Sequence, residues 1–68
     1  MDASAKEAME TMVRAFRVLK QAKRRGVDVK PYRRRLKEAT KLFQAGDYRT
    51  MIDRIEQIIA EVTGFSPP

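Results

Sequence analysis

The segment from Tyr48 to Thr63 constrains the fold most, because its aliphatic side chains recur with the period of an α-helix. Polar and charged residues occupy its other faces. The apolar stripe consists of Met51, Ile52, Ile55, Ile58, Ile59 and Val62. Such a stripe must be buried against other elements, so the segment predicts an all-α protein built around a helix over residues 48–63.

A second amphipathic pattern precedes it near the N-terminus, with a start signal and a stop signal. Ser4 and Glu7 have the spacing of a capping box, in which each side chain hydrogen-bonds the other residue's backbone N–H. Gly26 follows a basic last turn and can adopt the left-handed conformation of a C-cap. These signals predict a helix over about residues 5–25. Its predicted apolar face is Ala8, Met9, Met12, Ala15, Phe16 and Leu19.

The middle of the chain predicts one more helix, over about residues 31–45, which is the second of the three in chain order. Pro31 suits the first helical position, where its missing N–H is harmless, and Gly46 suits the position after the last turn. Asp47 can then cap the following helix, so a tight Gly-Asp hairpin joins the two. The expected apolar face of this helix is Tyr32, Leu36, Ala39, Leu42 and Phe43.

These helices predict a compact three-helix bundle. With 68 residues the chain has room for one domain, over residues 1–68, with residues 65–68 as a short C-terminal tail. We expect Gly64 to end the last helix and Phe65 to fold back on its last turn. The core is expected to combine the Ile-rich stripe with these side chains: Met12, Phe16, Leu19, Leu36, Ala39 and Phe43.

The chain contains neither cysteine nor histidine. Disulfides, thiolate nucleophiles, Cys or His metal ligands and histidine acid-base chemistry are therefore excluded. We expect a protein that is not an enzyme, with no cofactor, no metal and no small-molecule substrate. The carboxylates Glu7, Glu10, Asp53, Glu56 and Glu61 are expected to form surface salt bridges rather than a cation site.

The sequence also predicts a cytoplasmic protein without a membrane role. The N-terminus lacks the pattern of a signal peptide, and no apolar run reaches the roughly 20 residues of a membrane span. The first helix is basic and amphipathic, but its apolar face is rich in Ala and Met, whereas helices that bind bilayers favour Trp, Phe and Leu. The absence of Asn, His, Trp and Cys beside 35% charged residues is typical of thermophile proteins.

Charge is distributed unevenly along the chain. Residues 14–41 contain 12 basic and 2 acidic side chains, whereas the other residues contain 3 basic and 7 acidic ones. This asymmetry predicts a binding face for nucleic acid or an acidic protein surface, on the end of the first helix and the outer side of the second. The predicted residues are Lys23, Arg24, Arg25, Lys30, Arg33, Arg34, Lys37 and Lys41. A face that only keeps the protein soluble is the alternative.

Specific reading of DNA is not expected. A recognition helix offers basic or amide side chains to base edges, but Asp53, Glu56 and Glu61 would bring the third helix's acidic surface against phosphate. Between Lys20 and Lys41 the only aromatic residue is Tyr32, which could stack on an unpaired base. The periodicity favours packing of Tyr32 in the core instead.

The run Ala-Thr-Lys-Leu-Phe-Gln-Ala-Gly-Asp-Tyr-Arg-Thr-Met-Ile, within residues 39–60, resembles the helix-turn-helix hairpin of tetratricopeptide repeats. The resemblance implies hairpin geometry only, because one such unit cannot bury its own apolar face. Met51 and Ile58 also stand where that family places small residues. A protein-interaction or self-assembling scaffold is therefore the alternative function. A homodimer could pair the acidic third helix of one copy with the basic second helix of another.

Overall fold

A computed structural model of the protein describes residues 3–64, and it consists of three α-helices. They are α1 (Ala5–Arg24), α2 (Lys30–Gln44) and α3 (Tyr48–Gly64). No β-strand occurs within residues 3–64. The predicted all-α three-helix bundle is confirmed, and each helix begins and ends within one residue of its predicted bounds.

Local signals account for both ends of α1. The Ser4 hydroxyl accepts a hydrogen bond from the Glu7 N–H at 3.1 Å, and the Glu7 carboxylate accepts one from the Ser4 N–H at 3.4 Å. The predicted capping box is therefore present. At the other end Gly26 has a φ of 91°, and the Val27 N–H donates to the Ala22 carbonyl at 3.1 Å. This backbone reversal ends α1 and directs the chain towards α2.

The start of α2 differs slightly from its prediction. Asp28 accepts a hydrogen bond from the Lys30 N–H at 3.1 Å, which satisfies a donor that the helix itself leaves unpaired. α2 therefore begins at Lys30, and Pro31 occupies the second helical position rather than the first. Proline is tolerated there because the N–H groups of the first turn have no partner within the helix.

The Gly-Asp connection between α2 and α3 satisfies backbone groups on both sides. Gly46 has a φ of 78°, and the Asp47 N–H donates to the Leu42 carbonyl at 2.9 Å. The Asp47 carboxylate then accepts from the Thr50 N–H at 3.3 Å, as an N-cap residue does. One Gly-Asp pair thus ends α2 and begins α3.

α3 is the central helix of the fold, because it packs on both other helices while α1 and α2 meet each other least. The side chains of Met51, Ile55, Ile58 and Val62 are almost fully buried, and so is that of Leu36 on α2. Phe43 is half-buried, with its ring centroid 5.3 Å from that of Tyr48. The predicted Ile-rich stripe of α3 therefore forms the middle of the core.

Two predicted apolar positions of α1 are wrong. Phe16 is 55% exposed and Met9 is 49% exposed, although the helical wheel placed both on the buried arc. Phe16 lies about 100° around the helix from Ala15, at the edge of the arc, and α2 does not approach α1 closely enough to cover it. Ala8, Ala15 and Ala22 carry the buried face of α1 together with Met12 and Leu19.

α3 extends to Gly64, the last residue that the structure describes. The predicted tail over residues 65–68, and the predicted contact of Phe65 with the last turn, lie outside the described residues.

Candidate polyanion-binding face

An open groove of about 610 Å³ lies between the end of α1 and the start of α2. These two helices are joined by a short loop, and they contact each other less than either of them contacts α3. The lining of the groove consists of Phe16, Leu19, Lys20, Lys23, Arg24 and Arg33. We call this feature the basic groove. It brings together three of the predicted binding residues, Lys23, Arg24 and Arg33, and adds Lys20, which was outside the predicted set.

A row of cations continues from the groove along α2. Its members are separated by three or four residues, the spacing that places side chains on one helix face. All four are exposed, and they are Lys30, Arg33, Lys37 and Lys41. We call this set the basic row. Arg34 is exposed beside it, and Lys41 forms a salt bridge of 3.2 Å with Glu38.

Arg25 lies apart from the basic groove. It lines a different depression, together with Val18, Gln21 and Thr63, near the end of α3. Arg24 lines both depressions. Of the eight predicted residues, seven therefore belong to the basic groove, the basic row or the exposed position beside them, and Arg25 faces another side of the molecule.

The acidic side chains of α3 bind cations outside the basic groove. Arg14 of α1 forms a salt bridge of 3.2 Å with Glu56, and Arg35 of α2 donates two hydrogen bonds of 2.8 Å to Glu61. On α3 itself, Asp53 lies 3.8 Å from Arg49. Within residues 3–64, no salt bridge joins an acidic side chain to Lys20, Lys23, Arg24 or Arg33. The positive charge of the groove is therefore not neutralised by the described acidic residues.

The Arg35–Glu61 pair also fixes α2 to α3. The Arg35 guanidinium lies 6.0 Å from the ring centroid of Tyr32, so one side chain connects the ring and the carboxylate. The two hydrogen bonds from Arg35 lower the pKa of Glu61 from its ordinary value of 4.5. The same hydrogen bonds raise the pKa of Arg35, which keeps this guanidinium charged.

This pair predicts a pH-dependent contribution to stability. A carboxylate whose pKa is lowered in the folded state stabilises the fold above its unfolded pKa, and the contribution is lost as the pH falls through the folded pKa. We expect Glu61→Gln to lower the melting temperature near pH 7, and the difference from the wild type to shrink as the pH is lowered to about 3. Thermal melts followed by circular dichroism over this pH range measure the difference in melting temperature. Glu10→Gln, on an exposed face of α1, is the control, and an undiminished difference at about pH 3 would contradict a stabilising ion pair.

The two aromatic residues nearest the cations have opposite environments. Tyr32 is only 9% exposed and belongs to the core, as its periodicity predicted. Phe16 is exposed and lines the basic groove. The helical wheel placed Phe16 on the buried face, and an exposed Met and Phe surface on this helix was expected only under the scaffold alternative, although the sequence carries a second pattern. Met9, Val13, Phe16 and Lys20 follow one another at three- and four-residue steps, so one outward row of α1 changes from apolar to basic.

The carboxylates considered as cation ligands are dispersed over the surface. Glu7 belongs to the capping box of α1, while Glu56 and Glu61 bind arginines. Among residues 3–64, no three or more acidic side chains gather in a way that could hold a metal ion.

Comparisons of the chain with protein-family models, curated proteins and solved structures found no match. The described part of the chain contains no helix of the length and apolarity needed to cross a membrane. Function is therefore inferred from the geometry of the basic groove and the basic row.

Proposed function

We propose that this protein is a non-enzymatic binding module that engages a polyanion through the basic groove and the basic row, nucleic acid being the favoured partner. One observation carries the proposal. Lys23, Arg24 and Arg33 come from two different helices and meet Lys20 around one groove, in which no described acidic side chain pairs with them. The lack of cysteine agrees with action in the cytoplasm.

The physical basis is counterion release. A nucleic acid strand carries a condensed layer of cations, and Lys or Arg side chains that neutralise its phosphates release them into solution. Four cations around the groove would give a slope of about −3 when the logarithm of the binding constant for a single strand is plotted against that of salt concentration. Affinity would then fall roughly 50-fold between about 50 and 200 mM salt.

A fluorescence-anisotropy titration tests the proposal, with labelled single-stranded and duplex DNA and RNA at these two salt concentrations. The variant carries Lys23→Glu and Arg33→Glu, one substitution on each side of the groove. We expect weaker binding for every sequence and, for a single strand, a slope roughly 1.4 units shallower, because each lost phosphate contact removes about 0.7.

The control carries Lys6→Glu and Arg54→Glu, which change the net charge by the same amount at exposed positions on α1 and α3. Lys6 lies 17 residues before Lys23, roughly 25 Å away along the helix. Equal losses in the two variants would show that only net charge matters. An absence of binding by the wild type at the lower salt concentration would refute the proposal.

A self-assembling or protein-interaction scaffold is the second candidate, and one observation favours it. Met9, Val13 and Phe16 form an exposed apolar stripe along α1, and each of the three is between 46% and 55% exposed. Sedimentation equilibrium distinguishes this function, because a stripe that joins two copies would give a dimer whose population increases with protein concentration.

A further inference from the structure

Phe16 is the exposed aromatic side chain of the basic groove, and its position differs from that of the other described aromatic residues. Tyr32 is buried in the core, while Phe43 and Tyr48 pack against each other. Phe16 instead presents more than half of its surface to solvent. Lys20, Lys23, Arg24 and Arg33 line the same groove. An aromatic face and four cations are therefore available to a single ligand.

We infer that Phe16 is a base-stacking platform and that the basic groove takes single-stranded nucleic acid in preference to duplex. This inference rests on the proposed function and specifies its ligand. Phosphates of the strand bind the surrounding Lys and Arg side chains, and an unpaired base stacks on the Phe16 ring. Single-strand binders combine these two elements, a basic track for the backbone and aromatic rings for the bases. In a duplex the faces of the bases are already stacked on each other, so the ring adds little.

The charges around Phe16 favour a nucleic acid over a second copy of the chain. Two copies carry a net charge of +6 each, so bringing two basic grooves together is opposed by electrostatic repulsion. An apolar protein partner seated on Phe16 would also remove the surrounding cations from water without supplying opposite charges. A polynucleotide supplies both the negative charges and the flat apolar faces.

The chain lacks tryptophan, so Phe16→Trp introduces a single fluorescent reporter into the groove. Because position 16 is exposed, the larger ring fits without disturbing the core. We expect a single-stranded oligonucleotide to quench this tryptophan as a base stacks on it. Inorganic polyphosphate, which has charge but no bases, is expected to bind without comparable quenching. Gln57→Trp, at an exposed position of α3, is the control reporter and should respond little to either ligand.

Affinity measurements on Phe16→Ala and Phe16→Leu complete the test. Loss of one stacking platform is expected to raise the Kd for a single strand roughly 5- to 100-fold for the alanine variant. The leucine variant, which keeps an apolar side chain, should also bind more weakly than the wild type. The Kd for polyphosphate and for a blunt duplex should stay nearly unchanged, which excludes misfolding as the cause.

The outcomes separate this inference from the proposed function. If single strands, duplex and polyphosphate bind alike and Phe16→Leu changes none of them, the stacking platform is refuted and a purely electrostatic binding face remains. If no polyanion binds, both proposals fail. If the wild type sediments as a dimer and Phe16→Asp makes it monomeric, the exposed ring belongs to an interface between copies and the inference is overturned.

Discussion

Replacing Ile55 by Asp is expected to leave the chain unfolded at room temperature. The Ile55 side chain is 0% exposed and lies in the middle of α3, the helix on which both others pack. A carboxylate at this position would be buried without a partner. The described core residues are apolar apart from the hydroxyls of Tyr32 and Thr11, and the Thr11 hydroxyl already donates to the Glu7 carbonyl.

The free-energy cost of this substitution is large enough to unfold the protein completely rather than only destabilise it. A folded chain of 68 residues has a free energy of unfolding of roughly 3–10 kcal/mol. Burying an unpaired ion costs several kcal/mol even after relaxation, and the lost burial of an isoleucine side chain adds about 1.5–3 kcal/mol. The combined cost is comparable to the whole stability. The far-ultraviolet circular dichroism of Ile55→Asp should therefore show little helix and no cooperative melting.

Two variants make this test specific. Gln57→Asp places the same side chain at an exposed position of α3 and should remain folded. Ile55→Val removes one buried methyl group and should cost only about 0.5–1.5 kcal/mol. A cooperative transition in Ile55→Asp close to that of Gln57→Asp would contradict the central position of α3 in the core.

The helices could be predicted from the sequence because their signals are local. The Ser4–Glu7 capping box and the glycines at positions 26 and 46 involve residues within a few positions of each other. The exception is the start of α2, where the Asp28 carboxylate accepts a hydrogen bond from the Lys30 N–H and the N-cap residue, Val29, has no side-chain cap. A charged side chain in a loop has many alternative partners, so this hydrogen bond is visible only once the loop conformation is known.

A helical wheel alone does not give the exposure of Phe16, because exposure also depends on the spacing between helices. A helical wheel gives the direction of the apolar face but not how wide an arc the neighbouring helices cover. α1 and α2 contact each other little, and Phe16 lies outside the covered arc. Local sequence patterns also cannot predict salt bridges between helices. Arg14 and Glu56 are 42 residues apart in the chain, and Arg35 and Glu61 are 26 apart.

The candidate site was predictable in composition but not in geometry. The charge asymmetry identified the end of α1 and the outer side of α2 as basic. Which of these cations would converge depended on the loop that Gly26 begins and on the angle at which α2 leaves it. The structure brings Lys20 into the groove with Arg33 and leaves Arg25 on another side. Sequence proximity alone would have grouped Arg25 with Arg24.

Alanines recur at seven-residue intervals on the buried face of α1. Ala8, Ala15 and Ala22 are almost fully buried, and α1 packs more extensively on α3 than on α2. The distance between two packed helix axes depends on the side chains at the contact, at roughly 8–10 Å. Small residues on α1 therefore make room for the bulky side chains of Met51, Ile55 and Ile58 in the core. In the tetratricopeptide-like resemblance, Met51 and Ile58 stand where small residues are usual, and in this chain the small residues Ala8, Ala15 and Ala22 of α1 are buried in the same core.

Ala15→Leu is accordingly expected to cause a large loss of stability. Three additional carbon atoms at a position that is 1% exposed must either separate α1 from α3 or force neighbouring side chains out of their preferred rotamers. Overpacking of this kind costs up to about 3 kcal/mol. For a domain of this size, that loss corresponds to a melting temperature lower by roughly 12–24 °C. Thermal melts and urea titrations both measure it.

Ala60→Leu supplies the matched control, because it makes the same change at an exposed position of α3. Alanine and leucine have similar helix propensities, so the control should melt within a few degrees of the wild type. The difference between the two variants then reports the space available at Ala15 rather than the intrinsic preference of leucine. If Ala15→Leu had the same melting temperature as Ala60→Leu, α1 would have to lie on α3 loosely enough to accept a larger side chain. The small-against-large packing that holds α1 in place would then be refuted.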